Sequence, residues 1–253
     1  MSARRQVSSG GPERAGTAVP AAPPGAGGGS HKVLDRRRVL DAAVVLIDCR
    51  GLRGLTMRGL GAYLGVNPMA LYRYAPSREK LLDGVVKTVV DELYGDPEVY
   101  LVAHGDDWRD YLRRLAHGVR RRALAHPEVF PLIATRPPAA PWVRPPLRSL
   151  RWVESFLDTL VGHGFPDAAA VGAYRAFSSF LLGHLLLEVS ALGVDTGPVE
   201  EASPQTAGVA VENLSAYPHL QRLQGALSED HAAAEFEASL ENLLDRLSAM
   251  VTP

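Results

Sequence analysis

TMRGLGAYLGVNPMALYRYAPSREKLL, residues 56–82, decides the fold. It divides into a short helix, a tight turn, a second short helix and the start of a third. Thr56 is suited to cap the first helix, because a hydroxyl at that position accepts from a free N–H of the opening turn. Met57, Leu60, Gly61 and Leu64 recur at helical spacing on one face. Gly65 supplies the left-handed conformation in which helices commonly end. Asn67 and Pro68 restart a helix: a capping amide, then a residue with φ preset and no N–H to leave unpaired. Ser77, three residues before Lys80, caps the third helix. Two short helices joined by a glycine-containing turn of three to four residues describe a helix-turn-helix, whose second helix lies in the DNA major groove.

The charge around this stretch is uneven. The chain has 253 residues and a net charge of −1. Residues 31–90 hold eleven basic and five acidic side chains, and residues 1–30 hold Arg4, Arg5 and Arg14 against Glu13. The remaining 163 residues therefore carry a surplus of nine negative charges. A basic segment beside an acidic body is expected when one part touches phosphates and the other does not. Solvated surface charge without a partner gives the same count, so charge alone does not choose.

Outside 56–82 the periodicity is nearly all helical. Residues 35–49 place Leu40, Ala43, Val44 and Ile47 on one face, and Gly51 and Gly54 then break the chain. The helix opened by Ser77 aligns Leu81, Leu82, Val85 and Val89 and is expected to run to about Leu93. Further helices are expected over 108–126, 147–161, 168–192 and 229–250, with a turn at 164–166 and short helical pieces before the last. A connection at 95–105, a proline-rich run at 136–146 and a polar loop at 196–207 separate them. No segment alternates as a strand does. The expected fold is all-α: a disordered Gly/Pro/Ala tail over 1–30, a three-helix helix-turn-helix unit with a linking helix over 31–93, and a larger helical domain over 94–253.

Several function classes lose support. Cys49 is the single cysteine, which excludes an internal disulfide and a multi-cysteine zinc site, and it is expected to be a small buried hydrophobe. The longest apolar run, 180–187, is interrupted by His184 and closed by Glu188, too short and polar for a membrane span. No apolar region follows Arg4 and Arg5, so a cytoplasmic location is the default expectation. There is no P-loop, no GxGxxG after a strand, no HExxH and no GxSxG, so the expectation is a protein that is not an enzyme and needs no cofactor.

The run GL-x-x-LTMRGLGAYLGVNPMALYRYAPSREKLLD resembles the DNA-binding domain of the tetracycline repressor (TetR) family of transcriptional regulators. Gly51, Leu52, Leu55, Thr56, Arg58, Leu60, Leu64, Gly65, Val66, Leu71, Tyr72, Tyr74, Lys80, Leu81 and Leu82 carry the match, over about residues 35–90. The closing stretch HAAAEFEASLENLLDRL resembles the last helix of a tetracycline-repressor-type C-terminal domain. The resemblance implies a homodimer joined through the last two long helices of each subunit, reading the two halves of a palindromic double-stranded operator. It implies a small-molecule effector bound in the C-terminal domain, which releases DNA by allostery.

Residue chemistry assigns candidate DNA contacts at Thr56, Arg58, Asn67, Met69, Ala70, Tyr72, Arg73, Tyr74, Arg78 and Lys80. Met69 and Ala70 suit thymine methyl groups in the first turn of the recognition helix. Arg73 suits guanine O6/N7 or a phosphate, and both remain open. Tyr72 and Tyr74 have hydroxyls that suit phosphates, with rings that pack inward or serve only as core. Thr56 sits where N–H groups favour a phosphate, Arg58 suits a base edge, and Ser77 and Arg78 suit a flanking phosphate. Leu60, Leu64, Val66 and Leu71 are core.

Candidate lining for the effector pocket is Trp108, Tyr111, His117, Trp152, Phe156, Tyr174, Phe177 and His184, mostly aromatic with a few polar groups. The same residues fit an ordinary core. His184 and Glu188, at i and i+4, form a possible metal pair without a third ligand, so no metal is assigned. The alternatives are an all-helical metal-assisted enzyme and a ligand-independent DNA-binding activator.

Overall fold

The structure, a computed structural model, describes residues 34–95, 99, 107–135, 150–194 and 217–251. The expectations for 1–30, for nearly all of 95–105, for 136–146 and for 196–207 fall outside these residues. Ten helices are present among those described, and no strand. They are α1 (Arg36–Gly54), α2 (Met57–Leu64), α3 (Pro68–Leu71), α4 (Arg78–Tyr94), α5 (Trp108–Ala125), α6 (Phe130–Thr135), α7 (Leu150–Gly162), α8 (Asp167–Ala191), α9 (Pro218–Leu227) and α10 (Ala232–Ser248). The all-α expectation therefore holds. The helix predicted over 35–49 extends instead to Gly54, because Gly51 kinks the chain at φ 70° and ψ 168° and one more turn follows. The short α6 was not expected, since Pro127 breaks the preceding helix and leaves too few residues for a periodic signal.

Helices α1 to α4 enclose a core of Val39, Ala43, Leu46, Ile47, Leu60, Leu71, Leu81, Val85 and Val86. Ala43, Ile47, Leu60, Leu71, Leu81 and Val85 were expected on inner faces, and Val39, Leu46 and Val86 join them. The same core takes in Val129 and Leu132, from beyond α5. A unit of this size buries a smaller share of its surface by itself than a larger domain does. Two apolar side chains borrowed from the body enlarge that share and tie the unit to it.

The body forms around α8, which packs against α5, α6, α7 and α10. Its centre is Leu112, Leu115, Phe156, Leu160, Ala173, Phe177, Leu185, Phe236, Leu240 and Leu244. By length and composition α8 could cross a membrane. It is the one described helix with that property, and a single face of it, from Ala170 through Tyr174, Phe177 and Leu181 to Val189, is buried in the body. Along the outside, α5 and α10 run antiparallel with charges matched every four residues. Arg109 meets Asp245, Arg113 holds Glu241 with bonds of 2.6 and 2.9 Å, and His117 lies 3.5 Å from Glu237. The bidentate pair with Glu241 raises Arg113 above the ordinary guanidinium range and pulls the Glu241 carboxyl below its own.

Two ion pairs link the units. Arg122 on α5 binds Glu92 on α4 at 2.8 Å. His126, which caps α5, binds Asp48 on α1 through Nδ1 at 2.8 Å. The bond to Asp48 pushes the His126 imidazole above its usual pKa against the opposing effect of burial; Glu92 also favours the charged ring and Arg122 opposes it. A group whose folded pKa is raised stabilises the fold fully below the ordinary imidazole value. That contribution is lost as pH climbs through the folded value. Thermal melts of wild type and His126→Gln should therefore differ most near pH 6, by roughly 2–4 °C for about 1 kcal/mol, and the gap should narrow toward pH 8. An equal gap at both pH values would show that the pair carries no proton-linked stability.

Candidate nucleic-acid interface

The helix-turn-helix is built by local bonds that the sequence foretold. The Thr56 hydroxyl accepts from Gly59 N–H at 3.0 Å and caps α2. At the other end Gly65 takes φ 69° and ψ 29°. Its N–H donates to the Ala62 carbonyl and Val66 N–H donates to that of Gly61, the paired bonds of a Schellman ending. The Asn67 side chain accepts from Met69 N–H at 2.9 Å, with Pro68 opening α3. Ser77 Oγ accepts from Lys80 N–H at 3.2 Å.

Leu71 is fully buried and anchors α3. Around it Met69, Ala70, Tyr72 and Arg73 all face outward. Met69 is 73% exposed, an unusual place for a long apolar side chain unless something covers it. Arg58, in the first turn of α2, is also exposed and makes no hydrogen bond or ion pair to any described residue. Thr56 and Asn67 are exposed as well, each with its side-chain oxygen engaged as a cap. The Lys80 ammonium lies 3.6 Å from Asp83.

Three residues differ from the expectation. The Tyr72 ring does not pack inward: it is 42% exposed, because Leu71 already fills the inner face of this four-residue helix. Tyr74 does turn its ring toward the core, but its hydroxyl donates to the Leu34 carbonyl. A phenol has one hydrogen to give, so none is left for a phosphate. Arg78 is drawn inward too. Its guanidinium donates to the carbonyls of Leu52 at 3.0 Å and Leu55 at 3.5 Å, closing the end of α1 onto the start of α4. Those carbonyls follow the Gly51 kink, which sequence reading marked only as a break. Cys49 is half-buried, neither fully enclosed nor exposed.

In the body the candidate pocket residues form two groups. Trp108, Tyr111, Phe156, Tyr174 and Phe177 are buried, and Phe156 lies 5.5 to 6.5 Å from the rings of Tyr111, Tyr174 and Phe177. Trp108 meets Phe165 edge-on at 5.1 Å, and Trp152 packs on the outside of this core. Burial raises the Tyr174 phenol above its ordinary pKa. His117 and His184 belong to the second group, flanking Phe236 at 5.8 and 5.3 Å. Phe236, on α10, stands between them and is not among the candidates named from the sequence. Glu188 is not free to share a metal with His184. Both its oxygens are held by Arg120, at 2.6 and 3.1 Å.

Comparison with known proteins gives this arrangement its place. Residues 39–85 match the family described as bacterial regulatory proteins, tetR family. Residues 102–251, more than half of the chain, match the tetracyclin repressor-like C-terminal domain. Tetracycline repressor protein class C of Escherichia coli is 29% identical over 222 residues, covering 86% of this chain and 92% of that protein. The HTH-type transcriptional repressor DrrR1 of Streptomyces coeruleorubidus is 26% identical, covering 88% of this chain and 80% of its own length. A crystal structure of a possible TetR family transcriptional regulator from Streptomyces coelicolor A3(2) superposes with a TM-score of 0.66 at 31% identity, over 85% of this chain and 99% of that one. The chain therefore belongs to the tetR family of bacterial regulatory proteins and has a tetracycline-repressor-like C-terminal domain.

Proposed function

We propose that this chain is a ligand-responsive DNA-binding transcriptional regulator, a repressor that a small molecule releases from a palindromic operator. The observation that carries this reading is the outward face of α3, where Met69, Ala70, Tyr72 and Arg73 project around the buried Leu71 beside the exposed Arg58. Apolar and basic groups on one short helix suit thymine methyls, guanine edges and phosphates together. Thr56, Asn67 and Lys80 border the same face. Arg78 and Tyr74 support it from behind. The small-molecule side of the reading is supported by the repressor-like C-terminal domain and by relatives named as tetracycline repressors.

The regulator works as a homodimer, since a palindrome is read by two copies about one helical turn apart. Leu187 on α8 is three-quarters exposed, which supports α8 with α10 as the shared face. Residues 31–93 bind DNA, and 94–253 carry dimer and effector contacts. Effector and operator weaken each other by the same factor, as linkage requires. The pocket candidates divide the same way as the rings: the Phe156 group serves the core, and His117 and His184 are the polar candidates for an effector. The operator is double-stranded DNA, and no cofactor enters the scheme.

The test is selection of duplexes from a randomised pool, followed by titration of the best one. Wild type should bind with a steep inverse dependence on salt. Arg58→Ala should weaken binding by about 1–3 kcal/mol if it reads a base. Binding without sequence preference at every salt concentration would overturn the reading.

A further inference from the structure

Tyr74 makes three contacts that together lead away from DNA and toward its neighbour. Its hydroxyl donates to the Leu34 carbonyl, just before the Asp35 cap that opens α1. The same oxygen accepts from the Arg73 guanidinium. The Arg73 guanidinium carbon also lies 4.9 Å from the centre of the Tyr74 ring, within reach of a cation–π contact. The ring itself packs against the core of α1 to α4 and so cannot swing. Arg73, by contrast, is exposed, on a side chain with many rotamers.

We propose that Tyr74 is a positioning residue: it fixes the Arg73 guanidinium at the outer edge of α3, so that Arg73 meets the operator already oriented, and it makes no DNA contact itself. The inference rests on the operator-binding reading above. Holding a mobile charged side chain before binding removes an ordering cost that would otherwise fall on the complex. Tyr72 stays free for the phosphate that Tyr74 does not take.

The experiment is a double-mutant cycle on the full chain, with the duplex that wild type selects from a randomised pool. Tyr74→Phe keeps the ring and removes the hydroxyl. It should weaken binding roughly three- to tenfold, the loss expected for freeing one long side chain. Arg73→Ala should weaken it more and lower the salt dependence if the partner is a phosphate. In the Arg73→Ala background Tyr74→Phe should have no further effect. Equal losses from Tyr74→Phe in both backgrounds would overturn the proposal, because a direct DNA contact or a general loosening of the fold acts whether or not Arg73 is present. A wild-type affinity in either single variant would overturn it too. Failure of wild type to select any sequence would instead strike the operator-binding reading, so the two failures are distinguishable. Melting temperatures of each variant separate a loss of folding from a loss of binding.

Discussion

Phe156→Ala should lower the unfolding free energy by about 3–5 kcal/mol, the range for removing a large aromatic side chain from a packed core. Phe156 is fully buried on α7 and meets Tyr111 from α5 and Tyr174 and Phe177 from α8. The ring thus ties three helices together through three aromatic neighbours. A whole domain is typically stable by about 5–15 kcal/mol, so this single change removes a large share. Denaturant titration of full-length wild type and variant, compared at equal slope, measures it. The size of the loss also decides what the ring does. A ring facing an open effector cavity has few partner atoms on one side and loses less on truncation. A loss below about 1 kcal/mol would place Phe156 on a pocket wall and undo its assignment to the core.

Gly61→Val should disable the operator face while leaving the body folded. A side-chain carbon at Gly61 would lie 2.9 Å from the Val66 carbonyl oxygen and 3.1 to 3.2 Å from Pro68. These are atoms of the turn and of the proline ring, which cannot rotate aside as a flexible side chain does. The turn also closes on Gly61 directly, through the bond from Val66 N–H to its carbonyl. Overpacking of this kind costs about 1–3 kcal/mol. Here it displaces α3, the element whose contacts are worth about 1–3 kcal/mol each when geometry is right. Loss of two such contacts lowers operator affinity by roughly a hundredfold or more. The checks are operator titration and helical circular dichroism on the same sample. Near-native helicity with binding lost is the expected pair of results; unchanged binding would show that the turn yields at little cost. Gly65 offers the contrast. It has open space around it, and its requirement is the positive φ alone.

The helix-turn-helix was legible because its determinants are local. Caps at Thr56, Asn67 and Ser77 act over two or three residues, and the apolar spacing of Leu60, Leu71, Leu81 and Val85 states which face turns inward. Every one of these appears in the structure where periodicity placed it. Helix ends shifted by a few residues, since fraying and kinks such as that at Gly51 depend on what the ends pack against. The body was legible as helices and far less as a site. Eight aromatic and histidine positions read alike in sequence, yet five enter one core, two lie across Phe236 and Trp152 packs outside. Burial depends on which helix crosses which, and that information is spread over residues from 18 to 119 positions apart.

The same distinction separates the polar residues. Arg58, Met69, Ala70, Tyr72 and Arg73 lie on the outer face, where the one described side-chain partner among them is local, Tyr74 beside Arg73. Arg78 and Tyr74 are claimed by carbonyls 26 and 40 residues away. Glu188 is claimed by Arg120, 68 residues away, and Asp48 by His126, 78 away. A charged or phenolic group in water has many equivalent partners, and only the approach of a specific backbone oxygen or opposite charge singles one out. Sequence by itself determined an all-helical chain with a helix-turn-helix and its capped, periodic elements, because those rest on contacts within one or two turns. Tertiary structure alone decided which arginine and which tyrosine face outward, and how α1 and α4 are tied to α5, because hydrogen bonds over long separations form only once packing has excluded the competing water.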